Sequence, residues 1–298
     1  ELAGNDTLVN FENVDYVGEY DSEITGDEKD NVLTASSGDD VLRGGAGNDT
    51  LNAGAGNDFL YGEEGDDTLI LGGSGITVFD GGDGNDTVYI GLHSSREATI
   101  IVDFINGIYK EPTEVDDPRY DTFTNVENFV ISETDNDVIM TGDDNDNILA
   151  TGGGNDIIDG GAGNDTLKSG AGNDVLHGGD GNDVLKSGGG DDFIYGDKGN
   201  DILILNGSGV QTFNGGEGID TFKHDFSAGT LNPDLEQVID IDLVKGTTGQ
   251  KGNTAFRDTL ISIDNISYKG YINVEMTGDD NDNKIFLCTT DTDATLGS

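Results

Sequence analysis

One apolar residue returns every nine positions along two long stretches of the chain, and glycine and aspartate return with it. Gly26 to Tyr89 divides into nonapeptides such as GGAGNDTLN and AGAGNDFLY, and Gly142 to Lys223 divides into others such as GGAGNDTLK and SGAGNDVLH. Their consensus, G-G-x-G-x-D-x-L-x, places an apolar residue between two variable ones. This alternation is typical of a very short strand with one inward side chain, and the glycines predict turns between the strands.

The two arrays end in the same way. An extra leucine, Leu71 or Leu205, is followed by a degenerate nonapeptide and then by one regular nonapeptide. A related segment recurs at 6–14, 121–129 and 258–266, and after each copy the chain reaches Thr-Gly and a new array. The segments outside the arrays alternate apolar and polar residues, which predicts strands. The large repeating unit is therefore one array plus one β-rich segment.

The predicted fold class is all-β, with two parallel β-rolls (β-helices) separated by short β-rich capping or linking segments and with partial arrays at both termini. Two nonapeptides form one 18-residue coil with a turn on each side, and the coils stack at the ~4.8 Å spacing of neighbouring strands. The predicted parts are an upstream array end with its linking segment (1–25), a first roll (26–89), a cap or linker (90–141), a second roll (142–223), a second cap or linker (224–277) and the start of a third array with a tail (278–298).

The net charge of the chain indicates what the fold must bind. Lys and Arg number 14 and Asp and Glu number 60, for a formal net charge of −46. That charge repels itself in a compact fold unless a cation neutralises it, and it excludes polyanionic nucleic acid as a partner. The acidic residues recur at the period of the apolar ones, which distinguishes the chain from a disordered acidic polymer.

Cysteine usage and the chain ends add two expectations. Cys288 is the single cysteine, so disulfides cannot cross-link the fold, and bound metal is the obvious substitute; the thiol itself is read as an incidental buried residue. No stretch approaches the ~20 apolar residues of a membrane span, and no signal peptide opens the chain. The sequence begins within the pattern, at 3–8, and is expected to be a fragment of a longer protein.

The nonapeptide brings oxygen atoms together at each turn. Glycines at positions one, two and four permit positive φ angles and leave carbonyl groups unshielded, and position six supplies a carboxylate. Since turns two repeats apart lie one above the other, a cation between them meets carbonyl and carboxylate oxygens, the ligands that calcium prefers. The competing interpretation is that Gly and Asp only form turns. Turn formation alone requires no aspartate every nine residues.

More than a dozen such nonapeptides in register resemble the RTX (repeats-in-toxin, hemolysin-type calcium-binding) family, whose nonapeptide builds a calcium-binding β-helix. The resemblance covers 26–89, 142–223 and 278–286. It implies carboxylate ligands at position six, which are Asp40, Asp49, Asp58, Asp67, Asp86, Asp156, Asp165, Asp174, Asp183, Asp192, Asp201 and Asp220. It also implies carbonyl ligands from positions one and three of one turn and from positions two and four of the other, including Gly44, Ala46, Gly160, Ala162, Gly178 and Asp180.

Some repeats depart from the consensus at position six. Asn31, Asn147 and Asn283 occupy it in the opening repeats, which is expected to weaken the first site of each array, and Thr77 and Gln211 occupy it in the degenerate repeats, which is expected to interrupt the ladder. Pairing each aspartate with the one two repeats on predicts roughly eight calcium sites with both carboxylates present.

The predicted function is that of an extracellular calcium-binding structural protein, such as a surface adhesin, surface-layer protein or filament component. Its rolls would fold and stiffen when they bind Ca²⁺ after export, which the resemblance implies is by a type I system of a Gram-negative-type bacterium. The alternative is a calcium-dependent folding and secretion module of a toxin or enzyme. Expected partners are calcium, other copies of the chain joined head to tail, or a cell-surface or matrix component. No enzyme is predicted, because His93, His177 and His224 are isolated and neither H-E-x-x-H nor G-x-S-x-G occurs.

Overall fold

The computed structural model describes residues 12–91, 99–110, 120–132, 134–225, 238–242, 246–250, 257–270, 273–277, 283–289 and 295–296. Within these ranges every regular element is a β-strand, and no helix is long and apolar enough to cross a membrane. The all-β class and the parallel β-roll predicted from the nonapeptides are confirmed. The array end at 3–8, most of the third array's first turn (278–282) and His93 lie outside the described residues.

The chain divides into two compact units, 1–133 and 134–298. The strands of the first unit are β1 (Asn13–Asp15), β2 (Glu23–Thr25), β3 (Val32–Thr34), β4 (Val41–Ala46), β5 (Thr50–Asn52), β6 (Asp58–Glu64), β7 (Thr68–Leu71), β8 (Thr77–Asp83), β9 (Thr87–Ile90), β10 (Ile100–Asp103), β11 (Ile108–Lys110), β12 (Asp121–Thr124) and β13 (Asn128–Ile131).

The second unit has seventeen described strands. They are β14 (Val138–Thr141), β15 (Ile148–Ala150), β16 (Ile157–Ala162), β17 (Thr166–Lys168), β18 (Val175–Asp180), β19 (Val184–Lys186), β20 (Phe193–Lys198), β21 (Ile202–Leu205), β22 (Thr212–Glu217), β23 (Thr221–Asp225), β24 (Val238–Asp242), β25 (Thr247–Gln250), β26 (Arg257–Ile261), β27 (Asn265–Gly270), β28 (Asn273–Thr277), β29 (Lys284–Thr289) and β30 (Thr295–Leu296).

In the first unit, consecutive strands alternate between two parallel sheets. One sheet runs β1-β3-β5-β7-β9-β13 and the other runs β2-β4-β6-β8-β12. The strands β2 to β5 each pair with the strand 18 residues on, so that Leu33 lies beside Leu51 and Leu51 beside Leu69. One coil is therefore two nonapeptides, as the repeat length predicts.

The second unit repeats this arrangement. Its sheets run β15-β17-β19-β21-β23-β27-β29 and β14-β16-β18-β20-β22-β26, with every pair parallel. The antiparallel strands β25 and β24 extend the second of these sheets beyond β26, and β24 pairs in parallel with β28. In the first unit the antiparallel hairpin of β10 and β11 joins β12 in the same way.

Position eight of each nonapeptide forms the core between the two sheets. Its side chains have almost no exposed surface, and they are Leu33, Leu42, Leu51, Leu60, Leu69, Phe79 and Val88 in the first unit and Leu149, Ile158, Leu167, Leu176, Leu185, Ile194, Leu203, Phe213 and Phe222 in the second. The extra Leu71 lengthens β7 by one residue and pairs with Ile90, so the insertion leaves the register of position eight intact.

The recurring segment found in the sequence adds one further coil to each roll. We call residues 121–131 the first cap coil and residues 258–267 the second cap coil. In the first, Phe123 pairs with Phe79 and Phe129 with Val88. In the second, Leu260 pairs with Phe213 and Ile266 with Phe222. The cap coils continue both sheets of their roll without using the glycine-rich turn.

Candidate metal sites

The aspartates at position six form vertical ladders at the turns. All twelve are at most 1 % exposed. In each, Oδ1 accepts the backbone N–H of the residue at position six in the coil before it; Asp49 N donates to Asp67 Oδ1 at 2.7 Å and Asp165 N donates to Asp183 Oδ1 at 2.7 Å. The fold thus draws every predicted carboxylate ligand into a buried stack and uses one of its two oxygens for the backbone.

In nine of these carboxylates the second oxygen lacks a protein partner. Oδ2 is buried and accepts no hydrogen bond in Asp40, Asp49, Asp58, Asp67, Asp86, Asp165, Asp183, Asp201 and Asp220. A buried anionic oxygen with no partner is costly, because it has lost its hydration without replacement. Each of these atoms therefore indicates a cation that completes its shell.

On one edge of each roll, which we call the glycine edge, position one is always glycine. These residues are Gly26, Gly44, Gly62 and Gly81 in the first unit and Gly142, Gly160, Gly178, Gly196 and Gly215 in the second. A Cβ built on Gly178 would lie within 3.0 Å of both Asp183 Oδ2 and the Gly196 carbonyl oxygen. We call this pair of oxygens around a position-one glycine an oxygen cradle. The same cradle recurs at Gly44, Gly62, Gly160 and Gly196. These positions have room for oxygen atoms around a small ion and none for a methyl group.

The donor set decides which ion fits. Among the described residues, no three His, Cys, Asp or Glu side chains lie close enough to hold a metal by themselves. The ligands must therefore combine carboxylates with backbone carbonyls. An all-oxygen set of this kind suits calcium, which takes six to eight hard oxygen ligands, and not zinc, which favours nitrogen and sulfur.

Comparison with known proteins agrees with this chemistry. A family model, the RTX calcium-binding nonapeptide repeat in four copies, matches residues 16–51, 43–73, 71–89, 141–176 and 168–203. The chain carries RTX calcium-binding repeats. No curated protein matches it.

The RTX carbonyls predicted as ligands lie in the turn strands of the glycine edge. The carbonyl oxygens of Gly44, Gly160 and Gly178 border the cradles of Gly26, Gly142 and Gly160. Ala46 and Ala162 end β4 and β16, and Asp180 ends β18, where its carbonyl accepts the Gly163 N–H at 2.9 Å. Their part in binding an ion stays a prediction.

The opposite edge of each roll differs at position one. Outside the degenerate repeats, buried side chains occupy it there, and they are Ala35, Ala53, Thr151, Ser169 and Ser187. In the second unit, Thr151 Oγ1 lies 2.6 Å from Asp156 Oδ2, and Ser169 Oγ donates to the Ser187 carbonyl at 2.6 Å. The two edges of one RTX roll are therefore chemically distinct. In the sequence, position one alternates between glycine and Ala, Ser or Thr in successive repeats, which indicates two different edges. A single nine-residue consensus averages over this alternation.

A second ladder, which the sequence analysis missed, runs along position five. Asn200 N donates to Asn182 Oδ1 at 2.9 Å and Asn182 N donates to Asn164 Oδ1 at 3.0 Å. These bonds run in the direction opposite to those of position six, so the two ladders tie each turn to both of its neighbours. The signal was the near-constant Asn or Asp before each ladder aspartate.

Burial raises the pKa of eleven ladder carboxyls. It brings the pKa of Asp49 and Asp183 to about 6, and that of Asp86, Asp156, Asp165 and Asp201 to about 7. Hydrogen bonds from the backbone, or from Thr151 at Asp156, lower each pKa in part, and neighbouring carboxylates raise it again. Without a cation the ladders therefore hold protons near neutral pH.

The asparagines of the opening repeats place a neutral oxygen in the cradle. Asn31 Oδ1 and Asn147 Oδ1 border the cradles of Gly26 and Gly142, and they accept the N–H of Asp27 at 2.7 Å and of Asp143 at 3.1 Å. A carboxylate is thereby replaced by an amide oxygen that is already hydrogen-bonded. The weaker first site of each array stays a prediction. Asn283 lies next to the second cap coil, where its Nδ2 donates to the Asp264 carbonyl.

The degenerate repeats interrupt the ladder on the opposite edge. Asp58 N donates to the Ile76 carbonyl at 3.0 Å where a ladder carboxylate would otherwise accept it, because Thr77 has none. Gln211 Nε2 points at the carbonyls of Gly188 at 3.2 Å and Gly190 at 3.5 Å. These carbonyls are at positions two and four, the pair that RTX repeats offer to calcium. The N–H donor of the Gln211 amide therefore lies where an ion would otherwise meet these two carbonyls.

Changing Gly178 to alanine should damage the glycine edge. The added Cβ clashes with Asp183 Oδ2 and the Gly196 carbonyl, and overpacking of this kind costs about 1–3 kcal/mol. Urea unfolding in saturating calcium should show this loss. The matched control is Ser187→Ala on the opposite edge, where alanine already occurs at Ala53; an equal loss in both variants would contradict the distinction between edges.

Changing Gln211 to aspartate should add one calcium ion. The substitution removes the amide donor and places a carboxylate above Asp192, with the Gly188 and Gly190 carbonyls free to bind an ion. Native mass spectrometry at saturating calcium counts the ions. Gln211→Asn, which shortens the side chain without adding charge, should leave the count unchanged, and a gain in that control would refute the assignment.

Calcium-free rolls should be more stable in mild acid than at pH 8. The pKa values of six ladder carboxyls are raised from 3.8 to about 6–7 in the fold, so between pH 7 and pH 4 these carboxyls bind more protons in the folded state than in the unfolded chain. Stability is gained as pH falls through that window and lost as pH rises through it. The β signal in circular dichroism of the metal-free chain at pH 5 and pH 8 measures this, and a weaker β signal at pH 5 would contradict it.

Proposed function

We propose that this chain is an extracellular structural protein, part of a surface adhesin, surface layer or filament, whose RTX rolls fold and stiffen when calcium fills their turns. The supporting observation is the stack of buried carboxylates, most of which have one oxygen without a protein partner, beside backbone carbonyls along the glycine edge. A buried stack of carboxylate and carbonyl oxygens is suited to hold a row of divalent cations.

The charge balance of the described residues supports this proposal. The ion pairs of lysine and arginine there involve exposed acids, such as Glu12 with Lys29, Glu63 with Arg43 and Asp180 with Lys198. No ladder aspartate of the described turns has such a partner. Since few basic residues exist to neutralise the ladders, their stacking depends on a cation from solution, and folding is coupled to binding it.

An enzymatic role is not part of the proposal. His177 Nδ1 lies 2.8 Å from Asp197 Oδ2, and the ring stacks on Tyr195 at 4.6 Å on the sheet surface. His224 is buried edge-on to Phe222, and burial lowers its pKa to about 3, which makes it a poor general base at neutral pH. Both environments are those of packed side chains.

A folding and secretion module of a larger toxin or enzyme is the second candidate. Calcium-coupled folding would serve export equally well, since a chain with unfilled ladders stays unfolded at cytosolic calcium. The two candidates differ in what adjoins the rolls in the parent protein. A catalytic or pore-forming domain favours the module, and further copies of the same large unit favour the structural protein.

Calcium should fold the chain cooperatively, and magnesium should not. Circular dichroism during a titration to ~10 mM calcium should show a rise of β signal, because millimolar affinity is typical of extracellular calcium modules. Light scattering at the end point then tests self-assembly, for which growth in particle size is expected of a filament. A fully folded spectrum in chelator, unmoved by calcium, would falsify the proposal.

Two neighbouring residues provide a matched pair for the same titration. Asp67→Asn removes a buried ladder charge, whereas Asp66→Asn removes the same charge from the exposed position-five ladder. Asp67→Asn should raise the calcium midpoint and Asp66→Asn should not. Equal shifts would mean that bulk charge, and not the ladder, governs binding.

A further inference from the structure

The turns of the two cap coils are shorter than an RTX turn, but they keep a backbone carbonyl and a side-chain carboxylate in corresponding places. In the first cap coil three residues connect Thr124 to Asn128, whereas the six residues 81–86 connect the positions that pair with them, Asp80 and Thr87. Asn125 has φ of 51°, and its counterpart Ser262 in the second cap coil has φ of 49°. The glycines are gone, yet a carbonyl stays at the place of position one and a carboxylate at the place of position six.

In the first unit these groups complete a cradle above the last repeat. A Cβ on Gly81 would lie within 3.0 Å of both the Asn125 carbonyl oxygen and Asp86 Oδ2. Glu127 Oε2 accepts the Asp86 N–H at 2.8 Å, as the next ladder aspartate would. The cap therefore provides the same oxygens, in the same relation to Asp86, that an RTX turn provides to the aspartates before it.

The second unit builds the same arrangement with different residues. A Cβ on Gly215 would lie within 3.0 Å of the Ser262 carbonyl oxygen and Asp220 Oδ2, and Asp264 Oδ2 accepts the Asp220 N–H at 2.9 Å. Glu replaces Asp and Asn replaces Ser between the units, while the oxygens stay in place. Closing a turn needs only a hydrogen-bond acceptor here, which glutamine or asparagine would supply without charge.

An independent observation points to a ligand at both places. Asp86 and Asp220 are fully buried, and Oδ2 of each is aimed into the cradle and accepts no hydrogen bond. These oxygens face the cap and not another repeat. A cation is the group that would pair them while also meeting the cap carboxylate.

We propose that each cap coil completes one further calcium site, formed by Asp86, Glu127 and the Asn125 carbonyl in the first unit and by Asp220, Asp264 and the Ser262 carbonyl in the second. The proposal rests on calcium binding by the rolls and extends it to residues outside the RTX nonapeptides. Its consequence is that calcium attaches the cap to the roll, so the end of each roll is secured by the ion that folds it.

The opposite edge of the first cap coil supplies an internal control. There Asp121 Oδ1 accepts the Thr77 N–H at 2.6 Å, so its place in the cap matches that of Glu127. Thr77, however, contributes no carboxylate. An ion is therefore expected on the glycine edge of the cap and not on the opposite edge.

The test counts calcium ions by native mass spectrometry at about 1 mM free calcium, the upper range of extracellular modules. Glu127→Gln and Asp264→Asn should each bind one ion fewer than the unaltered chain, and the double variant two fewer. Asp121→Asn should bind the full number. Each substitution keeps an acceptor oxygen for the backbone N–H, and circular dichroism in calcium verifies the fold of each variant.

Three outcomes decide against the proposal. Full occupancy in both Glu127→Gln and Asp264→Asn overturns the cap sites alone. A loss in Asp121→Asn equal to that in Glu127→Gln shows that the cap acts through packing. If one glycine-edge variant fails to fold, the count of the other decides. A chain that binds no calcium at all refutes the proposed function itself, which separates the two failures.

Discussion

The structure depends on the stacking of buried like charges. Each ladder aspartate accepts a backbone N–H of the coil before it through Oδ1, and the next carboxylate follows one strand spacing away. On the glycine edge, Oδ2 and a carbonyl oxygen of the next coil border the same glycine. Anionic and partly negative oxygens facing one another out of water oppose folding unless a cation lies among them. The raised pKa values of Asp165 and Asp201 have the same cause, because burial without a cation favours the neutral carboxyl over the carboxylate. Under the proposed function, calcium would therefore be part of the fold and not an addition to it.

This constraint explains where glycine is needed and where it is not. At Gly45 and Gly47, φ is 112° and 109°, so the turn itself requires glycine. At Gly44 the reason is different, because a Cβ would fall among the oxygens of the cradle. On the opposite edge, Ala53 and Ser187 show that position one accepts a side chain when the local path of the chain differs. Glycine in the consensus is therefore required for two different physical reasons.

Much of the fold could be predicted from the sequence, because each nonapeptide carries its own strand, turn and ligand. The period placed Leu33 beside Leu51 and Asp67 above Asp49, since the repeat length alone fixes which residues stack. Partnerships set by the path of a long connection could not be predicted. Glu127 reaches Asp86 across 41 residues and Asp264 reaches Asp220 across 44. The recurrence of the cap segment was visible, but the depth at which it docks on the roll was not.

The ends of the rolls also give a reason for their degenerate repeats. A stack of identical coils offers no natural stopping point, because each coil presents to the next the surface it received from the last. Thr77 and Gln211 remove the ladder carboxylate on one edge in the coil that lies against the cap, and Gln211 replaces the ion with an amide. The glycine edge keeps its carboxylate and meets one from the cap. The coil next to the cap therefore carries a ladder carboxylate on one edge only, and in this it differs from the regular RTX coils before it.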